Sequence, residues 1–219
     1  MKIATIETFD LTCPLGRPFG WSQGWIEQRN TTLVKITTDD GLTGWGEGAA
    51  SDLINNLLAP LLIGQDPINR NGLWERMFHA LYNGNNAVGL AGSAVPALDI
   101  ALWDIKAKVA GMPLYQLLGG AVRTTFTMYK SIGGGSAMTP KEMLSKVETA
   151  YEEGFKAVKI RMDWKYRQDV DPKKDMEMFR PCRAFLPDEF PLSFDTNNGY
   201  SVTTAIQQGR KSGDLGIYH

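Results

Sequence analysis

The stretch TPKEMLSKVETAYEEGFKAVKIRM, residues 139–162, decides the fold. Thr139 and Glu142 have the spacing of a capping box, and Pro140 stands at the first helical position, where its missing N–H costs nothing. The pattern predicts a helix that stops at Gly154. The period then changes from helical to alternating. Ala157 to Met162 reads as a short strand, with Lys159 and Arg161 on one face and Val158, Ile160 and Met162 on the other.

Downstream the same unit repeats. Asp171-Pro172 opens a second helix to about Leu186, Leu192 to Asn197 is the next strand, Ser201 caps a third helix, and Leu215 to Tyr218 starts a further strand. Upstream, Thr124 to Ser131 reads as the strand that begins the series. Strands and helices alternating in this way build parallel sheets or barrels. A complete (β/α)₈ barrel takes about 250 residues. Residues 121–219 are therefore expected to form about three βα units of an incomplete barrel, the front part of a longer architecture.

Residues 1–120 follow a different pattern. Ile3 to Phe9 is β-like, and a loop rich in Gly, Pro and aromatics runs from Pro14 to about Asn30. Thr32 to Thr38 and Leu42 to Glu47 read as strands joined by Asp39-Asp40-Gly41, a hairpin signal. Asp66-Pro67 predicts a helix start, with the helix running to about Leu81. Ser93 to Pro96 opens another, whose Leu98, Leu102, Ile105 and Val109 recur at helical spacing until Gly111-Met112-Pro113 ends it. The run Leu114 to Leu118 closes at Gly119-Gly120. The fold class is thus an α+β unit over 1–120 followed by an α/β barrel segment over 121–219.

Composition narrows the partners. The 219 residues carry 23 Lys plus Arg and 24 Asp plus Glu, a net charge of −1. That balance argues against nucleic acid or an anionic membrane as the main partner. No run approaches the roughly 18 apolar residues of a membrane span. The opening MKIATIETFD lacks the apolar stretch of a signal peptide. Cys13 and Cys182 are the two cysteines, which suits a reducing cytoplasm rather than a disulfide framework. His79 and His219 are the two histidines, too few for a His-rich zinc site and a poor basis for a Ser-His-Asp triad. No Walker A or GxGxxG motif follows a strand, and Gly133-Gly134-Gly135 reads as a flexible loop.

Strands of a parallel sheet are normally apolar on both faces. Here Lys159 and Arg161 share one face of their strand, and Ser193, Asp195 and Asn197 share one face of the next. The polar positions run towards the C-terminal ends, where βα architectures carry active sites. A structural salt bridge between Lys159 or Arg161 and Asp195 is one reading. The other is chemical. A carboxylate can hold Mg²⁺, a lysine can bind a substrate carboxylate or act as a base, and together they could stabilise an enediolate.

The sequence resembles the mandelate racemase and muconate lactonizing enzyme branch of the enolase superfamily. The resemblance rests on Ala97-Leu98-Asp99-Ile100-Ala101-Leu102-Trp103-Asp104-Ile105-Lys106-Ala107-Lys108, continuing through Gly111, Pro113, Leu114, Leu117, Leu118 and Gly119. It is supported by the hairpin Gly41 to Glu47, by Lys159-x-Arg161 and by Asp195-x-Asn197. Pro96 departs from the small residue usual in the family and starts the helix.

The resemblance implies roles. Asp195 would be the first of three carboxylate ligands of Mg²⁺. Lys159 matches the first lysine of a Lys-x-Lys motif and would lie close to the substrate carboxylate. Arg161 stands in the place of the second lysine, which in many members is a base. A guanidinium is a poor base, so a one-base reaction is favoured over a two-base racemase, with Arg161 holding charge or a hydroxyl. Dehydration of an acid sugar fits, with the base a later histidine, since members use a Lys or His base with Mg²⁺. Racemisation, epimerisation and cycloisomerisation are the alternatives. Asn197 would contact substrate or order the metal-bound carboxylate.

The Pro14–Asn30 loop corresponds to a loop that closes over substrate, so Phe19, Trp21 and Trp25 either touch the small carboxylate substrate or pack the loop. Ala49 to Asp52 matches a second such loop. Glu47 is read as part of the capping sheet, His79 as structural, Trp103 and Met112 as core, and Lys165 to Lys174 as a solvated loop and helix start. The resemblance also implies a homo-oligomer. The later metal ligands and the histidine fall outside this sequence, so the 219 residues alone are expected to be inactive. A non-catalytic product that associates through an open sheet edge is the reading from a different class.

Overall fold

A strand with glycine at every second position holds the first part of the molecule together. In the computed structural model β1 (Ile3–Trp21), β2 (Gly24–Thr38) and β3 (Thr43–Gly48) form a sheet in the order β1-β2-β3. The structure describes residues 1–21, 24–82, 89, 91–133, 138–161, 169 and 171–216. Strands β2 and β3 are antiparallel, with Thr32 opposite Gly48 and Thr37 opposite Thr43. Gly44, Gly46 and Gly48 of β3 face α4 (Ala94–Val109). A Cβ at any of the three would overlap the backbone oxygen of Ala101, Ala97 or Ser93 respectively. Those helical residues step by four along one face, so bare strand meets bare helix. Ile36, Val34, Leu98, Leu102 and Ile105 close the core on either side, all fully buried.

The chain divides into two compact units, residues 1–14 with 29–124 and residues 15–28 with 125–219. In the first, α1 (Ser51–Leu53), a π-helical turn (Ile54–Leu58), α2 (Ala59–Leu62) and α3 (Arg70–Tyr82) bury Ile54, Leu58, Leu62, Leu73 and Met77 against the same core. The short helix α5 (Leu114–Leu117) follows α4. In the second unit, β4 (Lys130–Ile132), β5 (Val158–Arg161) and β6 (Leu192–Asp195) make a parallel sheet in the order β4-β5-β6. Helices α6 (Pro140–Glu152), α7 (Pro172–Phe185) and α8 (Val202–Gly213) follow the three strands in turn. Each starts as its sequence requires. Thr139 and Glu142 close both halves of a capping box, the Asp171 carboxylate accepts from the Lys174 N–H, and the Ser201 hydroxyl accepts from the Thr204 N–H. Val158, Ile160, Leu192, Met143, Val147 and Phe179 form a separate core.

Several expectations change. The glycine- and proline-rich segment after Pro14 is a long hairpin arm and not a loop. It tolerates Pro14 and Pro18 because β1 is the edge strand, where a missing N–H breaks no ladder. The helix expected at Asp66 begins at Arg70; the Asp66 carboxylate instead accepts from the Ile68 N–H at 2.9 Å in a local turn. The helical run Ser51–Leu62 was not expected, and its Pro60 stands harmlessly in the first turn of α2. The strand expected over Thr124–Ser131 shrinks to Lys130–Ile132, because β5 begins only opposite Lys130. Val109 and Met112 are exposed rather than core, and Trp103 is half-buried beneath Arg70 and Lys106. Val109 lies one turn beyond Ile105, where β3 no longer covers the helix.

Leu215 and Gly216 lie in a turn, while Ile217–His219, Met162, the charged residues from Lys165 to Gln168, and Gly134-Gly135 fall outside the described residues. Among the described residues no helix is long and apolar enough to cross a membrane.

Candidate active site at the ends of the parallel strands

Register brings the polar faces together. Lys159 is opposite Ser193, and Arg161 is opposite Asp195, so the alternating side chains of β5 and β6 meet on one face. On the other face Val158 and Ile160 are buried in the core. The Lys159 ammonium donates to Asp195 Oδ2 at 3.0 Å. The Arg161 guanidinium donates to Asn197 Oδ1 at 3.3 Å, and the Asn197 N–H donates to Asp195 Oδ1 at 2.9 Å. All four residues thus form one connected network. Lys159 also lies 6.0 Å from the centre of the Tyr129 ring, and the Phe19 ring lies 5.2 Å from Arg161 Cζ.

The turn after β6 carries the network. Asn197 and Asn198 both adopt left-handed backbone, with φ 49° and 61°, a conformation asparagine tolerates better than other residues with a Cβ. Asp169 ties this turn down: its N–H donates to Gly199 O at 2.7 Å, and its carboxylate accepts from the Ser201 N–H at 2.9 Å. The Tyr200 hydroxyl donates to the buried carboxylate of Asp175 on α7. Burial and that carboxylate push the Tyr200 phenol pKa up, so it remains a hydroxyl at neutral pH. A cavity of about 680 Å³ opens here, lined by Tyr129, Lys159, Ser193, Asp195, Asn197 and Tyr200 among others.

Burial works against charge on Asp195, but the Asn197 N–H, the Lys159 ammonium and the Arg161 charge together hold its carboxyl below the usual range. Asp195 is an anion facing two cations. Its donor chemistry fits one ligand position of Mg²⁺, a hard cation that takes oxygen. Among the described residues no group of three or more His, Cys, Asp or Glu side chains is placed to hold a metal. The fit is therefore to a single carboxylate ligand and not to a complete set.

Of the residues singled out from sequence, Lys159, Arg161, Asp195 and Asn197 meet directly, and Phe19 joins them from the hairpin tip. The side chain of Trp21 lies outside the described residues. Trp25 packs its indole on Gly20, where a Cβ would overlap the ring, and its ring N–H is buried. Glu47 accepts from the Thr31 hydroxyl at 2.6 Å within the capping sheet, and His79 lies 3.2 Å from Glu75 on the exposed face of α3. Tyr129, Asn198 and Tyr200 were not anticipated. Tyr129 could have been: it is two residues before Ser131, which is in register with Lys159.

Residues 3–119 match the mandelate racemase / muconate lactonizing enzyme N-terminal domain, and residues 142–219 match the enolase C-terminal domain-like family. The chain belongs to the mandelate racemase / muconate lactonizing enzyme family. Two relatives and one solved structure place it further. It is 32% identical to the D-galactarolactone cycloisomerase of Agrobacterium fabrum over 99% of its own length and 57% of that protein's. It is 43% identical to a D-galactonate dehydratase family member of Paenibacillus sp. over 60% of its length and 33% of that protein's. The magnesium complex of a mandelate racemase/muconate lactonizing protein from Paracoccus denitrificans superposes with a TM-score of 0.82 at 38% identity, covering 99% of this chain and 57% of that one. The chain therefore spans a little over half the length of the relatives that it matches end to end. This family contains dehydratases, racemases, epimerases and cycloisomerases, and the capping sheet followed by parallel βα units is its architecture.

Proposed function

We propose that this chain supplies the capping domain, residues 1–120, and the first barrel strands, residues 121–219, of a Mg²⁺-dependent enzyme that removes a proton next to the carboxylate of an acid sugar, most simply with loss of water. The observation that carries this reading is the connected Lys159–Asp195–Asn197–Arg161 network at the C-terminal ends of adjacent parallel strands. Lys159 would bind the substrate carboxylate, since an ammonium donates charge-assisted hydrogen bonds to it. Arg161 remains charged throughout and would hold a carboxylate or hydroxyl oxygen rather than take a proton. Asn197, Phe19 and Trp21 would complete the substrate side. Asp195 would hold the metal, and Mg²⁺ when bound would supply positive charge to offset that developing on the substrate carboxylate.

Dehydration balances simply: the proton on the carbon next to the carboxylate leaves, and the neighbouring hydroxyl departs as water. Racemisation needs a second base on the opposite face, and Arg161 is a poor one, which favours dehydration. The acid-sugar class follows the names of the galactonate and galactarolactone relatives. One carboxylate retains Mg²⁺ weakly, so we expect the 219 residues by themselves to bind without turnover. A homo-oligomer is part of the proposal and is checked by sedimentation.

Proton NMR of D-galactonate with Mg²⁺ in deuterated water tests the reading. Binding appears as broadening of the sugar-acid signals in the presence of the chain. If turnover accompanies it, loss of the C2 proton with a new 2-keto-3-deoxy product supports dehydration. Exchange of that proton with appearance of the C2 epimer, and no 2-keto-3-deoxy product, assigns an epimerase instead. No broadening and no exchange for any aldonic or aldaric acid would refute the proposal.

A further inference from the structure

The Arg161 side chain is long, and a loose guanidinium would select poorly among oxygens. Asn197 and Phe19 are among the residues that hold it: Asn197 Oδ1 accepts from one nitrogen at 3.3 Å, and the Phe19 ring lies 5.2 Å from its central carbon. That spacing is within the range of a cation–π contact. Phe19 reaches the barrel strands from the hairpin arm, in the segment 15–28 that packs with residues 125–219.

The strand sets which way this ring points. Successive residues of a strand point to opposite faces. Gly20 gives its face to the Trp25 indole, which a Cβ there would exclude. Phe19 therefore faces the other way, together with Arg17 two residues earlier. The Arg17 charge is felt at Glu142 and Lys146 of α6. Phe19 and Arg161 are both half-buried, and Gly20 is buried.

We propose that Phe19 is a positioning residue for the site: its ring, carried on the hairpin tip, holds the Arg161 guanidinium where it bonds Asn197, and so acts on the substrate through Arg161. This rests on the substrate reading given above. It assigns the phenyl ring a task that a leucine of similar bulk cannot perform, because only an aromatic face attracts a guanidinium.

The test uses the 219-residue chain with ¹⁵N-labelled arginine, the substitutions Phe19→Leu and Phe19→Tyr, and D-galactonate as probe. Wild type should show the Arg161 side-chain resonances displaced by the ring current of Phe19. Phe19→Leu should abolish the displacement and weaken galactonate binding by about 2- to 5-fold, the range of a partly exposed cation–π contact. Phe19→Tyr should restore both. The inference is overturned if Arg161 resonances in Phe19→Leu superimpose on wild type, or if they move while galactonate binding is unchanged. Absence of galactonate binding by wild type would overturn the substrate reading. The Arg161 resonances in the three proteins would still decide whether Phe19 positions the guanidinium. A melting curve for each variant separates loss of fold from loss of the contact.

Discussion

Substituting Lys159 by Met removes one ammonium while keeping most of the stem. The Lys159 and Asp195 side chains are 27% and 35% exposed, so water screens their pair and its contribution to stability is about 0.2–1 kcal/mol. In a protein of this size that shifts the melting temperature by about 2–4 °C at most. The local effect is larger. Lys159 contributes both a hydrogen bond and a charge that hold the Asp195 carboxyl down, while the Asn197 N–H and the Arg161 charge remain. The Asp195 pKa should therefore rise in Lys159→Met. Its folded value lies below the unfolded one, so its contribution to stability is present above the unfolded value and lost as pH falls through the folded one. The variant should lose less stability between about pH 5 and pH 3, because its folded value has moved towards the unfolded. A substrate carboxylate should bind more weakly by about 1.5–3 kcal/mol, the worth of a hydrogen bond to a charged group, or roughly 10- to 150-fold. A ¹³C NMR titration of the Asp195 carboxyl, with melting curves at each pH, reads the first two effects. An Asp195 pKa that stays put or falls in Lys159→Met would refute the electrostatic account.

The packing of β3 on α4 predicts that Gly46→Ala, whose new methyl would overlap the Ala97 carbonyl, destabilises by at least about 1–3 kcal/mol. Gly16→Ala, with nothing nearby, should melt close to wild type; equal melting of the two variants would overturn the packing argument. Burial pushes the Cys182 thiol up to about 12, while Cys13 is exposed. Ellman's reagent at pH 8 should therefore titrate one thiol in the native chain and two in denaturant. Asp195→Asn keeps the shape of the side chain but loses its charge. It should abolish Mg²⁺ enhancement of galactonate binding, which calorimetry with and without the metal measures; undiminished enhancement would place the metal elsewhere.

Much of the site was legible because strand alternation is strict. Once Val158 and Ile160 were assigned to the core, Lys159 and Arg161 had to share the other face, and the parallel register then set them beside Asp195 and Asn197. Helix starts were legible where a cap and a proline coincide, as at Thr139-Pro140 and Asp171-Pro172. The same logic misled at Asp66, where a capping residue closed a local turn and the helix began at Arg70. The hairpin arm was hidden because Pro14, Gly16, Pro18 and Gly20 read as loop residues, yet an edge strand tolerates them. The aromatic partner of Arg161 and the acidic partner of Tyr200 were not legible. Phe19 and Asp175 reach the site from distant segments, and no local pattern encodes that meeting.

The most direct test of the account is a crystal structure of the chain with D-galactonate and Mg²⁺. The account predicts the sugar-acid carboxylate against Lys159, in the cavity that Lys159, Asp195 and Asn197 line, with the metal on Asp195. A sugar acid bound away from these residues, or a metal that leaves Asp195 paired only with Lys159 and Asn197, would contradict it.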